Sequence, residues 1–91
     1  MRVEWSEAKR ESNLRKHNLD FIDARRVFEG PVISLEDDRF DYTEDRYISI
    51  GMLKGIVVVI AHTDSEEEIR VISMRKATNH ERRFYFGEIA D

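Results

Sequence analysis

The sequence predicts an α+β domain built on an antiparallel sheet, and three stretches carry the prediction. Arg46 to Leu53 alternates, with Ile48, Ile50 and Met52 on one face and Tyr47, Ser49 and Gly51 on the other. Lys54-Gly55 reads as a tight turn into the continuous apolar run that starts at Ile56, the pattern of a central strand buried on both faces. Thr78 stands three residues before Glu81, a capping box that opens a helix.

The elements follow in order. Arg2 to Trp5 is short and β-tolerant, which suits an edge strand. Ser6 is a good N-cap and Glu7 sits at the positive end of the following helix dipole. The helix from Glu7 to about His17 has few apolar residues, chiefly Ala8 and Leu14, so it is expected to lie shallowly. Lys9, Asn13, Lys16 and His17 share one polar face by their spacing. Asp20 caps a second helix, where Leu19 and Ala24 hold staple positions and Phe21, Ala24, Val27 and Phe28 form a stripe that Gly30-Pro31 ends.

Val32 to Leu35 is a short strand, and the acidic loop "EDDRFDYTED" follows it. A meander comes next, Arg46 to Leu53, Ile56 to Thr63 and Ile69 to Arg75, with "DSEEE" as its second turn. A last helix carries Arg82, Arg83, Phe84 and Tyr85. The expected order is β-α-α-β-β-β-α, with the meander at the sheet centre and Phe21, Val27, Phe28, Ile48, Ile50, Val58 and Ile60 in the core.

Ninety-one residues make a single domain over 1–91, small enough that its core is thin. With 41% hydrophobic and 37% charged residues the chain reads as globular and soluble. Its longest apolar run, Ile56 to Ala61, is far too short to cross a bilayer, and "MRVEWSEAKR" lacks the apolar centre of a signal peptide. The absence of cysteine excludes disulfides and thiolate zinc sites and fits a cytoplasmic protein.

Charge is unevenly spread. "RVISMRKATNHERRFYF" gathers Arg70, Arg75, Lys76, Arg82 and Arg83 against one acid, Glu81, so it is locally +4 in a chain of net −4, which leaves −8 elsewhere. The stretch is either a solvated surface or a footprint for an anionic partner. Tyr85 either adds a stacking or proton-donating group to it or packs into the core with its hydroxyl at the rim. His17, His62 and His80 are scattered without metal-ligand spacing, so no metal site is expected. No phosphate-binding glycine loop or other cofactor motif occurs, so no cofactor is expected. The six acids from Glu36 to Asp45 form a solvated loop or a dock for a basic partner helix.

Several stretches together resemble one family. "VEWSEAKRESNLRKHNLDF" is similar to the "WDExKxxxNxxKHGVxF" opening of the BrnT toxins. "DDR", "DRYISIG", "VVVIAHT" and "IRVISMRKATNHERRFY" resemble later blocks of that family, in order and over nearly the whole chain. Ser6 stands where the family has Asp and still serves as an N-cap. Asn18 stands where it has Gly, at a position that wants a left-handed backbone, which Asn tolerates next best.

The resemblance implies a RelE-like ribonuclease fold and an RNA-cleaving toxin of a type II toxin–antitoxin pair, inhibiting translation and growth. It implies a small ribbon-helix-helix antitoxin of the BrnA kind, a heterotetramer about an antitoxin dimer, and repression of the shared operon through operator DNA. Metal-independent RNA cleavage needs the 2′-hydroxyl deprotonated, the phosphorane stabilised and the leaving 5′-oxygen protonated. Arg75 is the favoured phosphate-binding residue, since an arginine fork matches phosphate oxygens, with Arg46 as the second. His17, with Lys16 on its helix face, suits proton transfer, and Tyr85 and Glu81 are weaker candidates, Glu81 because its capping-box role already explains it. Arg70, Lys76, Arg82 and Arg83 would bind RNA. Arg70 and Arg75 are five apart on one strand, so ideal alternation sends them to opposite faces unless the strand bends. The other reading is a non-catalytic module that docks a protein or RNA.

Overall fold

The computed structural model describes residues 1–39 and 44–90. The elements are β1 (Arg2–Glu4), α1 (Glu7–His17), a 3₁₀ turn (Phe21–Asp23), α2 (Ala24–Glu29), β2 (Ile33–Glu36), β3 (Tyr47–Leu53), β4 (Ile56–Asp64), β5 (Glu68–Lys76) and α3 (Asn79–Ala90). They form an α+β domain around one five-stranded sheet ordered β1-β5-β4-β3-β2. The short strand expected after Pro31 is β2, so with the meander four strands follow the helices, one more than the order β-α-α-β-β-β-α counts. The sheet is antiparallel except at one edge, where β1 runs parallel to β5. Residues 40–43 of the expected acidic loop lie outside the described residues. No described helix is long and apolar enough to cross a membrane.

Local chemistry accounts for the element ends. Ser6 Oγ accepts from the Lys9 N–H at 3.4 Å and starts α1. Asn18 ends it with φ +56°, its N–H returning to Leu14 O, so the position is left-handed as expected. The second helix is shorter than its apolar stripe suggested. Asp20 accepts from Ile22 N–H at 3.0 Å and caps a 3₁₀ turn, and only Ala24–Glu29 is α-helical. Arg10 grips the same Asp20 carboxylate with two bonds of 2.8 and 3.0 Å, tying α1 to this corner. Lys54 and Gly55, both with positive φ, form the two-residue turn between β3 and β4.

The sheet is covered on both faces. On one, Phe21, Ala24 and Val27 are fully buried against Leu53, Val58, Ile60, Val71 and Met74, with Phe28 half-buried at the margin. On the other, Tyr85 of α3 covers Ile50, Val57 and Val59, with Ile48 half-buried. The central strand β4 is thus buried on both sides, as its unbroken apolar run predicts. Gly51 is required where α2 crosses β3, because a Cβ there would lie 2.7 Å from Val27 Cγ1 and 2.9 Å from Val32 Cγ1.

Asn13 does not share the solvent-facing side of α1. It is buried, and its amide replaces a strand at the part of the β5 edge that three-residue β1 does not reach. Asn13 Oδ1 accepts from Met74 N–H at 3.0 Å, and Nδ2 donates to Met74 O at 2.8 Å and to Leu19 O at 3.1 Å. One side chain thereby satisfies three backbone groups that burial would otherwise orphan.

Candidate functional site

A β-bulge decides which basic residues share a surface. The β4–β5 register runs Val59↔Arg75, Ile60↔Met74 and Ala61↔Ser73, then resumes at His62↔Val71 and Thr63↔Arg70, so Ile72 is an extra residue on β5. One extra residue inverts the parity of everything before it. Arg70 and Arg75 therefore lie on the same face, opposite Val71 and Met74, which are buried beneath the helical layer of α1 and α2. It is the α3 face, since Arg75 pairs with Val59 and Val59 with Ile50. Asp37 N–H donates to Arg46 O at 2.8 Å and carries the β2–β3 ladder one residue past Tyr47. Alternation from Ile48 then places Arg46 on this face too.

A pocket of about 400 Å³ opens beside Arg75. Leu35, Ile48, Ile50 and Phe84 supply apolar lining, while Glu36, Asp37, Asp38, Arg39, His80 and Glu81 supply the polar rim. Arg75 is fixed at its edge. Its Nη1 and Nη2 donate to the two Glu81 oxygens at 2.8 and 2.9 Å, and Nη1 also donates to Lys76 O at 3.3 Å. Those bonds occupy three of the guanidinium's five N–H donors and leave the Nε–Nη2 side as an open fork.

Glu81 is fixed in turn by the expected capping box. Thr78 N–H donates to Glu81 Oε1 at 2.8 Å, and Glu81 N–H donates to Thr78 Oγ1 at 3.1 Å. The hydrogen-bonded Arg75 guanidinium holds the Glu81 carboxyl at about 2, and the same contact raises Arg75. Across the pocket, Arg39 donates to both oxygens of the buried Asp37 at 2.8 and 3.1 Å.

The other candidates lie in varied places. Arg70 pairs with Glu44. Lys76 is exposed at the end of β5, and Arg82 and Arg83 are exposed on α3 without lining the pocket. Tyr85 is buried, with its hydroxyl donating to Pro31 O at 2.7 Å and its pKa raised by burial. That geometry gives Tyr85 the packing role. His17 and Lys16 are exposed at the end of α1, and neither lines the pocket.

His80 and the Asp37–Arg39 pair were missed by sequence reasoning. Alternation continued from Leu35 would have placed Asp37 and Arg39 on the Ile48 face. The capping box would likewise have placed His80 and Glu81 in the first helical turn, one turn before Phe84.

A second polar cluster lies on the opposite face. Ser34 and Ser49 hydroxyls are 2.7 Å apart, Ser49 Oγ is 2.6 Å from His62 Nε2, and His62 Nδ1 is 2.9 Å from Thr63 O. The His62 ring meets the Phe28 ring edge-on at 4.9 Å and stacks near Tyr47 at 6.0 Å. With His62 only 2% exposed, this is a satisfied core network and not a reactive pair. Among the described residues no group of three or more His, Asp or Glu side chains is placed to hold a metal ion.

The model of a family described as the ribonuclease toxin, BrnT, of type II toxin-antitoxin systems matches residues 5–81. No curated protein matches the chain. The matched span takes in both partners of the Arg75–Glu81 pair, the bulge and the three arginines of the α3 face.

Proposed function

The chain belongs to the BrnT family of ribonuclease toxins of type II toxin–antitoxin systems, and from that premise we propose that the α3 face of its sheet is the surface that cleaves RNA. The observation that carries this reading is the bulge at Ile72, which brings Arg70 and Arg75 onto one face with Arg46. A run of phosphates laid across that face meets three guanidinium groups instead of two.

Arg75 is the residue to which we assign stabilisation of the phosphorane. Glu81 holds it still, yet its Nε–Nη2 fork remains open for two phosphate oxygens. Arg46 is assigned as the second guanidinium and Arg70 as a contact to a neighbouring phosphate. The substrate's own 2′-hydroxyl serves as nucleophile, so the reaction is proposed to run without a metal-bound hydroxide. Proton transfer is assigned to His80, whose imidazole lines the pocket that Arg75 borders, in preference to His17 with Lys16 at the end of α1. Lys76, Arg82 and Arg83 add outer contacts to RNA.

The cysteine-free chain fits a cytoplasmic site of action, and by the family resemblance the toxin inhibits translation and growth. A ribbon-helix-helix antitoxin covers part of the basic face, and the two form a heterotetramer that binds the operator of their operon. Light scattering on the co-purified complex gives the mass of two toxins and two antitoxins in this account; a one-to-one mass overturns the assembly.

The function itself is tested by expression in cells. Arg75→Ala abolishes growth arrest while its thermal melt stays like that of wild type, because the side chain is partly exposed and Glu81 keeps its cap. A folded Arg75→Ala protein that arrests growth like wild type removes Arg75 from the mechanism.

A further inference from the structure

We propose that the pocket beside Arg75 is a nucleobase subsite selective for guanine, with Phe84 as its stacking surface and Asp38 as the group that reads the base. This inference rests on the RNA-cleaving reading of the same face and adds a specificity that reading does not contain.

The described lining of the pocket disfavours phosphate inside the cavity. Four carboxylates, Glu36, Asp37, Asp38 and Glu81, face two arginines, Arg39 and Arg75. Each arginine is already matched by one carboxylate, Arg75 by Glu81 and Arg39 by Asp37. The remaining charge of the described lining is negative, so a phosphodiester belongs at the open Nε–Nη2 fork of Arg75 on the pocket's edge and not inside the cavity.

A flat, neutral group rich in N–H donors fits instead. The volume of about 400 Å³ lies within the range of small-ligand sites. Phe84 is 38% exposed and Leu35 48% exposed, so apolar lining is left open to water in the free protein. A base turned out of a single strand stacks on such a ring. Asp38 is exposed at the rim and makes no hydrogen bond or ion pair within the described residues.

Guanine is the base whose edge matches an ionised carboxylate. Its N1–H and N2–H₂ donate side by side to two oxygens, whereas adenine and uracil present an acceptor at one of those places. With the phosphate at Arg75, a base entering this pocket belongs to a nucleotide at or beside the cut.

The test uses the full-length protein and single-stranded oligonucleotides that carry one 2′-deoxy sugar at the scissile position, so that binding is read without cleavage. Fluorescence anisotropy compares a guanine at the test position with inosine, which lacks the N2 amino group, and with adenine. Wild type is expected to favour guanine over both by about tenfold or more. Asp38→Asn is expected to level that preference, and Phe84→Ala to weaken binding of all three about tenfold, each with a thermal melt like wild type. Cleavage of the all-ribose guanine oligonucleotide is measured in parallel. Cleavage with no base preference, or a preference that Asp38→Asn leaves intact, overturns the subsite while the nuclease reading stands. Guanine-selective binding without any cleavage overturns the nuclease reading and leaves the subsite. Variants that weaken antitoxin binding but not base preference mark the pocket as a socket for a basic antitoxin side chain, and that also overturns the proposal.

Discussion

Single residues do much of the organising in this chain. Asn13 satisfies the Met74 and Leu19 backbone groups where no strand reaches them, so Asn13→Ala leaves three buried polar groups unmatched. It is expected to lower stability by about 2–3 kcal/mol, read from urea unfolding, with no new contact to offset the loss. Helical periodicity put Asn13 on one polar face with Lys9, Lys16 and His17, because periodicity in one helix carries no information about an unpaired backbone edge elsewhere. Asn18 was legible, since its left-handed conformation is a local property of the chain. His62 gives a pH signature. Burial, the largest effect, depresses its pKa below the ordinary 6.5, against smaller opposing contributions from the Thr63 carbonyl and Asp64. A depressed folded value means the unfolded chain binds the proton first. The His62 contribution is therefore fully present above about pH 6.5 and is lost as pH falls through the lower folded value. Urea midpoints of wild type should decline across that window while those of His62→Gln stay level. Glu81 obeys the same sign in a lower window, between its ordinary 4.5 and about 2, so the two are separable.

Among elements, the decisive feature is the bulge in β5. Residue counting alone sends Arg70 and Arg75 to opposite faces, and the sequence around Ile72 gives no sign of an inserted position. The register shift between Ala61 and His62 is a property of two strands, which explains why it was invisible in one. By contrast the β3 alternation, the Lys54-Gly55 turn and the Thr78–Glu81 capping box are local patterns, and all three were read correctly. The parallel pairing of β1 with β5 was not, since strand direction at an edge depends on the whole chain path. The packing of α2 on β3 gives a clean test. Gly51→Ala forces its methyl against Val27 and Val32 in a filled layer, so it is expected to cost about 1–3 kcal/mol by thermal denaturation. A Gly51→Ala melt equal to wild type would show that α2 sits farther from the sheet than described.

At the scale of the molecule, a chain of net charge −4 carries its guanidinium row on one face of its sheet. The acidic remainder limits indiscriminate attraction to polyanions, while the row gives one surface a local match for phosphate. The family was legible because its motifs run in order along almost the whole chain, and the matched span of residues 5–81 agrees. The proposed site was legible only in part: the charge cluster pointed to Arg75, whereas local patterns could give the face of His80, Asp37 and Arg39 but not their meeting around one pocket, which needs α3 and the end of β2 packed on the sheet. The central claim is that Arg75, presented on this face by the bulge and held by Glu81, stabilises the phosphorane during RNA cleavage. Its most direct test is the single-turnover rate of cleavage of a defined RNA, in chelator, by wild type, Arg75→Ala and Arg75→Lys. The account predicts cleavage by wild type in chelator and a loss of about 10²–10³-fold in Arg75→Ala, with Arg75→Lys recovering little because an ammonium lacks the fork. Equal rates for wild type and a folded Arg75→Ala would contradict it.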